Sequence, residues 1–417
     1  MPPLIPILFV GLSLPLWQLG LLVSVYLFVG GLGQAPIGVL SDRYDRWLLL
    51  TAGLTLIPLG YILFGLAPGV GSVLPGMSVL GQSFSGTFLV MSCAMFVSGL
   101  GHSVVHPVGY PLISSNVRND KKGKILGIWG SASKFGDASP PLLVGALILV
   151  LPWEQIVLLL GGLGLVYAAF ISRRFRRSFD TRPPRDNDGS DEQAITLREL
   201  LSADKRTFAL PIALILAYFL CAMFTTNGLL TYTPLFVTDV LALSISVGGV
   251  RLPPESVANL YFSLLLISGG VSQLVMGAVS DRFDYRLVMV SLLGVSTVGL
   301  LLLAVTPLTP LVLIVLVVVI GAAMFGMNPA RDALMSAITP PAYEGRLFGY
   351  VWTVALMASS AYPAAIGYIA DTTDIRTSFS YFSIGTALAV IPILFLFSDR
   401  MYLKRSPNTT DRVDPSE

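Results

Sequence analysis

The sequence predicts an all-α polytopic membrane protein: two six-helix bundles related by a pseudo-two-fold axis, with the first helix cut to a stub. Three observations predict it. The chain has 417 residues, 54% hydrophobic and only 12% charged, with mean hydropathy +0.77; a soluble domain carries roughly 25% charged residues. Its apolar residues fall into runs near the ~20 that a spanning helix needs. The second half of the chain also repeats the first. Gly 40 and Pro 28 fit this class, because lipid-embedded helices tolerate both.

Taken in order, an apolar stub at 3–12 precedes helices expected at 19–40, 48–66, 85–114, 124–150 and 154–172. The stretch 173–206 is polar and reads as a linker, with a short surface helix around Leu197–Leu201. Helices follow at 207–236, 256–279, 286–305, 309–338, 346–370 and 375–397. The expected organisation is a first bundle over 1–172, the linker 173–206, a second bundle over 207–397 and a tail over 398–417.

Loop charge sets the orientation. With loops assigned alternately, nearly all of the 26 Lys and Arg fall on one side. The other side collects only Arg251 and Arg376, and Lys134 and Arg331 lie inside helices. The positive-inside rule makes the crowded side cytoplasmic, together with the linker and the C-terminus. The expected location is the cell membrane.

The repeat is specific. "GGLGQAPIGVLSDR" (30–43) matches "GGVSQLVMGAVSDR" (269–282) at an offset of 239. "GLGHSVVHP" (99–107) matches "GAAMFGMNP" (321–329) and "GKILG" (123–127) matches "GRLFG" (345–349), both at an offset of 222. The first half therefore holds 17 extra residues, placed in the uncharged stretch 67–83, which reads as a loop. The counterpart of helix 207–236 begins almost at Met1, so about 20 residues of a first helix are missing against the length a span needs. A start codon assigned too late is the preferred explanation; an eleven-helix variant with a stub is the other.

Two parallel copies of a six-helix bundle joined by a linker resemble a major facilitator superfamily transporter. "GVLSDRYDR" resembles the family's signature loop, G-x-L-a-D-R-x-G-R, and "GAVSDRFDYR" its weaker second copy. Asp45 replaces the second Gly of the pattern, and Trp47 stands where a Lys is usual. The resemblance makes Gly38, Asp42, Arg43, Gly277, Asp281 and Arg282 a conformational switch. It implies that Asp42 faces the helix start near Gly345 and Asp281 the one near Gly123, a carboxylate against a positive helix end. "GHSVVHPVGY" (101–110) resembles the equivalent segment of drug-efflux members, the fosmidomycin-resistance branch among them; Met95 stands where the family commonly has an Arg.

Polar residues found in only one half need a reason beyond the shared scaffold, since polar groups at membrane depth are costly. His102 and His106 sit four apart on one helical face, opposite Met324 and Asn328 in the repeat. Either histidine can handle protons near neutral pH, or serve only to bond a carbonyl loosened by Pro107. Lys134 and Asp137, three apart, share a face and can neutralise each other, either as an ion pair alone or as a coupling pair. Arg331 and Asp332 replace Gly109 and Tyr110; adjacent helical residues point about 100° apart, so the two are expected not to pair. Asn227, Tyr232, Gln273 and Asn328 are candidates for the substrate cavity. Trp129, Tyr350 and Trp352 read as interface or packing aromatics.

A secondary active transporter of a small organic molecule is the leading expectation: proton-coupled, rocking about a midplane site, with efflux slightly favoured. No nucleotide loop of the form G-x-x-x-x-G-K-[ST] occurs. The other readings are a sensor or scaffold on the same fold, or a facilitator without ion coupling. No enzyme constellation, metal cluster or cofactor motif is present in the sequence; Cys93 and Cys221 read as packing residues. Expected partners are the substrate, protons and the bilayer, not nucleic acid, and the expected state is a monomer.

Overall fold

An apolar run in lipid satisfies its backbone N–H and C=O groups by bonding them along its own helix. The computed structural model describes residues 1–116, 122–178, 181, 209–242, 244–247, 250–338 and 344–397. A 3₁₀ turn at Pro2–Leu4 and a short helix α1 (Ile5–Gly11) form the stub. The first bundle continues with α2 (Leu16–Arg43), α3 (Arg46–Gly71), α4 (Gly86–His102), α5 (Val105–Asn116), α6 (Lys122–Leu147) and α7 (Trp153–Ser178). The second comprises α8 (Ala209–Leu241), α9 (Pro254–Ser280), α10 (Tyr285–Val305) and α11 (Pro310–Gly326). It ends with α12 (Asn328–Ile338), α13 (Glu344–Ser359), α14 (Tyr362–Thr372) and α15 (Ile375–Phe395). Among the described residues, 10 spans are long and apolar enough to cross a membrane, with α4–α5, α11–α12 and α13–α14 each forming one span. Helix α6 has the length, 26 residues, and carries Lys122, Lys124, Lys134 and Asp137.

The three split spans break just ahead of a proline, where a missing N–H loosens the ladder. The breaks fall at Ser103–Val104 before Pro107, at Met327 before Pro329, and at Ser360–Ala361 before Pro363. Pro140 and Pro141 lie inside α6 without breaking it.

Two expectations are corrected. Residues 67–83 are not simply a loop. Helix α3 runs on to Gly71, and a hairpin follows, β1 (Met77–Val79) paired antiparallel with β2 (Gln82–Phe84). Helix α7 continues to Ser178, past the bundle boundary expected at 172. A second hairpin, β3 (Ile245–Val247) with β4 (Val250–Leu252), joins α8 to α9. Both hairpins lie at the end of the molecule opposite the two repeated cassettes, which gives the molecule a hairpin end and a cassette end. The surface helix expected at Leu197–Leu201 lies outside the described residues.

The cassettes finish alike. Asp45 accepts from Trp47 N at 2.9 Å and so caps α3; Asp284, its repeat counterpart, accepts from Arg286 N at 2.8 Å and caps α10. Capping explains why Asp stands where the family pattern has Gly. Trp47 and Arg286, again counterparts, each tie their loop to the last helix of their half. Trp47 Nε1 donates to the Ser172 carbonyl at 2.8 Å, and Arg286 Nη1 to the Leu396 carbonyl at 3.0 Å. Each also makes a cation–π contact with roles reversed: Arg176 over Trp47, and Arg286 over Phe397.

The halves meet along α2 with α13 and α14, and along α6 with α9. Hydrogen bonds between the halves, among the described residues, gather toward the hairpin end. Leu16 N and Trp17 N donate to Asp371, Ser256 Oγ to the Gly145 carbonyl, Asn259 Nδ2 to the Pro3 carbonyl, and Ser263 Oγ to the Ala138 carbonyl. The backbones approach so closely that a Cβ on Gly20 would lie 2.2 Å from the Pro363 carbonyl oxygen, and one on Gly367 2.4 Å from that of Leu16. At the cassette end a Cβ on Gly38 or Gly277 would meet nothing within 4 Å. Among the described residues the seam is tightest at the hairpin end.

Candidate functional site

The helix breaks concentrate the polar residues between the bundles. At the first, His102 ends α4 and His106 lies in the first turn of α5, both partly buried. The His102 ring lies 5.2 Å from Tyr26 of α2. His106 lies 5.9 Å from Trp129 of α6, and 6.4 Å from Trp352 of α13 with the rings inclined by only 23°. The last contact crosses from one half to the other.

On the far face of this layer stands Arg331. Its guanidinium lies 4.9 Å from the Trp352 ring centre and 5.0 Å from that of Phe219 in α8. The sequence expectation that Arg331 and Asp332 do not pair is overturned, for Arg331 Nε donates to Asp332 Oδ1 at 2.9 Å. A long arginine stem turns back across the ~100° step between neighbours, while the two rings hold its planar head. Nη1 also donates to Asn328 Oδ1 at 2.9 Å, so Asn328 steadies the arginine. His106, Trp352 and Arg331 thus form one column of rings and charge across the seam.

Deeper in α6, Lys134 Nζ and Asp137 Oδ2 are 2.7 Å apart, with side chains 18% and 49% exposed. The ammonium also sits 4.9 Å from the Phe325 ring centre, on α11 of the other half. Asp137 is within electrostatic range of His102 and Tyr26, which joins this pair to the first helix break. The pair is neutral as it stands, and neutralising the half-open carboxylate would release the Lys134 ammonium from its partner.

The remaining candidates divide. Gln273 of α9 is partly buried, its Oε1 3.9 Å from where a Gly130 Cβ would stand, so it faces α6 across the seam. Asn227 and Tyr232 serve backbone rather than cavity. Asn227 Nδ2 donates to the Ser359 carbonyl at 3.1 Å. Tyr232 is 0% exposed, its hydroxyl 2.7 Å from the Pro363 carbonyl oxygen and 3.1 Å from that of Leu16. Arg43, Asp281 and Arg282 are exposed at the cassette end. The side chains of Asp42 and of residues 122–127 and 344–349, where the switch contacts are expected, lie outside the described residues. Sequence reasoning missed Tyr26, Phe219 and Phe325, and read Trp129 and Trp352 as packing only. Of these aromatics Phe325 alone lies within one turn of a proline break, and the others carry no local signal in the sequence. Among the described residues no group of three His, Cys, Asp or Glu comes together to hold a metal ion.

Known proteins share this architecture. The chain resembles a bacterial homolog of the human lysosomal transporter Spinster in an inward-facing, unoccupied conformation, at TM-score 0.73 and 14% identity over 97% of this chain and 94% of that one. It also resembles a D-xylose-proton symporter, at TM-score 0.68 and 17% identity over 92% and 87%. In sequence it is 27% identical to the multi-drug resistance efflux pump PmrA of Streptococcus pneumoniae over 88% of this chain and 85% of that protein. It is also 27% identical to a probable L-galactonate transporter of Escherichia coli (strain K12), over 38% of this chain and only 31% of that protein. These relatives are transporters, not enzymes. The family description Major Facilitator Superfamily matches residues 1–254 and 252–415. The chain, a multi-pass membrane protein with that two-bundle fold, belongs to the major facilitator superfamily.

Proposed function

We propose that this transporter moves a small organic molecule by rocking its two bundles about the layer of helix breaks, with proton movement coupled through Asp137. One observation carries the reading. The only ionisable residues set in α6 at mid-depth, Lys134 and Asp137, face the space between the bundles and touch the opposite half through Phe325. A structural pair would gain nothing from standing there, since charges at membrane depth cost about 2.5–3.5 kcal/mol each on insertion scales. Efflux is the preferred direction, supported by likeness to a multidrug pump over most of the chain. The cassette end, linker and C-terminus are assigned to the cytoplasm, on the distribution of Lys and Arg. The protein acts as a monomer. In that orientation Asp42 and Asp281 are the switch that closes the cassette end.

The test is a reconstituted one. Purified protein in vesicles, given a pH gradient and a panel of sugars, acids and lipophilic cations, should accumulate one class against its concentration gradient. Equilibration without accumulation would assign the chain to facilitators. No movement of any compound would favour a sensor.

A further inference from the structure

The carboxylate of Asp371, at the last turn of α14, takes both leading N–H groups of α2: Leu16 N at 3.0 Å on Oδ1 and Trp17 N at 2.9 Å on Oδ2. Helices α2 and α14 belong to different bundles, so this is a cap made in trans. A helix start carries unsatisfied donors and a partial positive charge, which a carboxylate answers on both counts. The residue before α2 is Pro15, which offers no side-chain cap of its own. Around the cap the two helices are fitted without slack. Gly367, one turn before Asp371, leaves no room for a Cβ against the Leu16 carbonyl. The Tyr232 hydroxyl bridges toward that carbonyl and the one of Pro363. Ser24 Oγ accepts from Ala364 N at 3.3 Å.

The arrangement is not part of the repeated scaffold. At the offset of 222 the counterpart of Asp371 is Leu149, and the other seam, α6 with α9, closes on serine and asparagine bonds to carbonyls instead. The charged groups nearby are engaged elsewhere: Arg376 holds the Ala304 and Thr306 carbonyls, and Asp374 caps α15.

We infer that Asp371 is the latch of the hairpin end, a positioning residue whose cap on α2 must break each time that end opens. The inference rests on the transport reading for its place in a cycle, and on geometry alone for the latch. Helix α2 then carries an Asp near each end of one seam, its own Asp42 at the cassette end and its partner's Asp371 at the hairpin end. Opening of the hairpin end then requires the Asp371 bonds to Leu16 and Trp17 to be given up.

The experiment reads the opening directly. Cys93 and Cys221 are replaced by alanine, and spin labels are placed at Leu80→Cys and Leu311→Cys, positions 98% and 71% exposed, one on each half at the hairpin end. The full chain in nanodiscs should give mainly one short distance. Asp371→Ala should move a substantial share of the distribution, at least about twofold over the starting long-distance share, to longer separations. Leu16→Pro removes one donor from the other side, at a helix position proline tolerates, and should shift the distribution the same way by less. The two together should match Asp371→Ala alone, because they cut one contact. A distribution unchanged in Asp371→Ala, with only a lower melting temperature, would reduce the residue to scaffold and overturn the inference. Additive shifts in the double variant would overturn it too. If Asp371→Ala does not fold, Leu16→Pro decides alone by the same reading. Since no substrate is involved, shifted distances alongside failed transport would sink the transport reading and leave the latch standing.

Discussion

Asn227 donates its Nδ2–H to the carbonyl of Ser359 at 3.1 Å, across 132 residues of sequence. Ser359 is the carbonyl that Pro363, four residues on, cannot serve, because proline has no N–H. The side chain on α8 therefore substitutes for the missing rung between α13 and α14. Asn227→Ala should lower stability by about 1 kcal/mol, the usual loss for a buried hydrogen bond in a membrane bundle. Adding Pro363→Ala returns an N–H to the ladder and should recover most of that loss. Thermal unfolding in detergent measures both; a double variant no more stable than Asn227→Ala would refute the substitution.

How much of this was legible follows from the solvent. Lipid forces an apolar run of about 20 residues to be a helix, so the spans at 19–40 or 286–305 stood out before any geometry. The internal repeat supplied the two bundles. The hairpin at 77–84 stayed hidden because its turn is built on Leu80 and Gly81, at φ 51° and 77°. A leucine in a position that usually asks for asparagine or glycine gives no turn signal. The site was half legible. Charge at membrane depth marked Lys134, Asp137, Arg331 and the histidines, but partner choice depends on distant chain. Neither the Asn227–Ser359 bond nor the Asp371 cap has a local signature, and the reach of Arg331 back to Asp332 defeated a rule drawn from helical angles alone.

At the cassette end, Asp284 caps α10 and is held by its own helix. The Arg286 side chain donates to it, at 2.5 Å from Nη2, and lowers its pKa from the ordinary carboxylate value, the larger effect against the opposing one of burial. A carboxyl with a depressed folded pKa contributes stability that is complete above its unfolded value and is lost as pH falls through the folded one. The melting temperature should therefore fall on acidification below about pH 4, the unperturbed Asp range. Asp284→Asn, which keeps much of the cap, should flatten that acid limb. Equal acid limbs in both proteins would show that the pair does not contribute.

Arg331 lies against two rings, and such stacking depends on a flat, weakly hydrated head. Arg331→Lys keeps the charge but gives up the stack on Phe219 and Trp352 and the fork to Asn328 and Asp332. Transport should fall at least about tenfold, the effect of losing roughly 1.4 kcal/mol in a rate-limiting step, with little change in melting temperature. If the lysine variant transports at the parent rate, charge alone suffices and the column across the seam is only packing.

The Lys134–Asp137 pair gives the sharpest separation of structure from coupling. Its repeat counterparts are Leu356 and Ser359, so the second half shows that the fold accepts neutral residues at these positions. Replacing one partner alone is uninformative, because it strands a charge at membrane depth and costs stability under any reading. Lys134→Leu with Asp137→Ser removes both charges and copies the other half. Expression and melting temperature should then stay close to the parent. If the pair only neutralises itself, the double variant still accumulates substrate when a pH gradient is imposed. If Asp137 carries the proton and Lys134 is the partner it exchanges, accumulation disappears while exchange of labelled for unlabelled substrate persists. That exchange needs only the rocking of the bundles and no net proton movement. The expected outcome is lost accumulation with retained exchange. Retained gradient-driven accumulation in the double variant would falsify coupling through this pair and leave His102 and His106 as the remaining groups at mid-depth able to carry the proton.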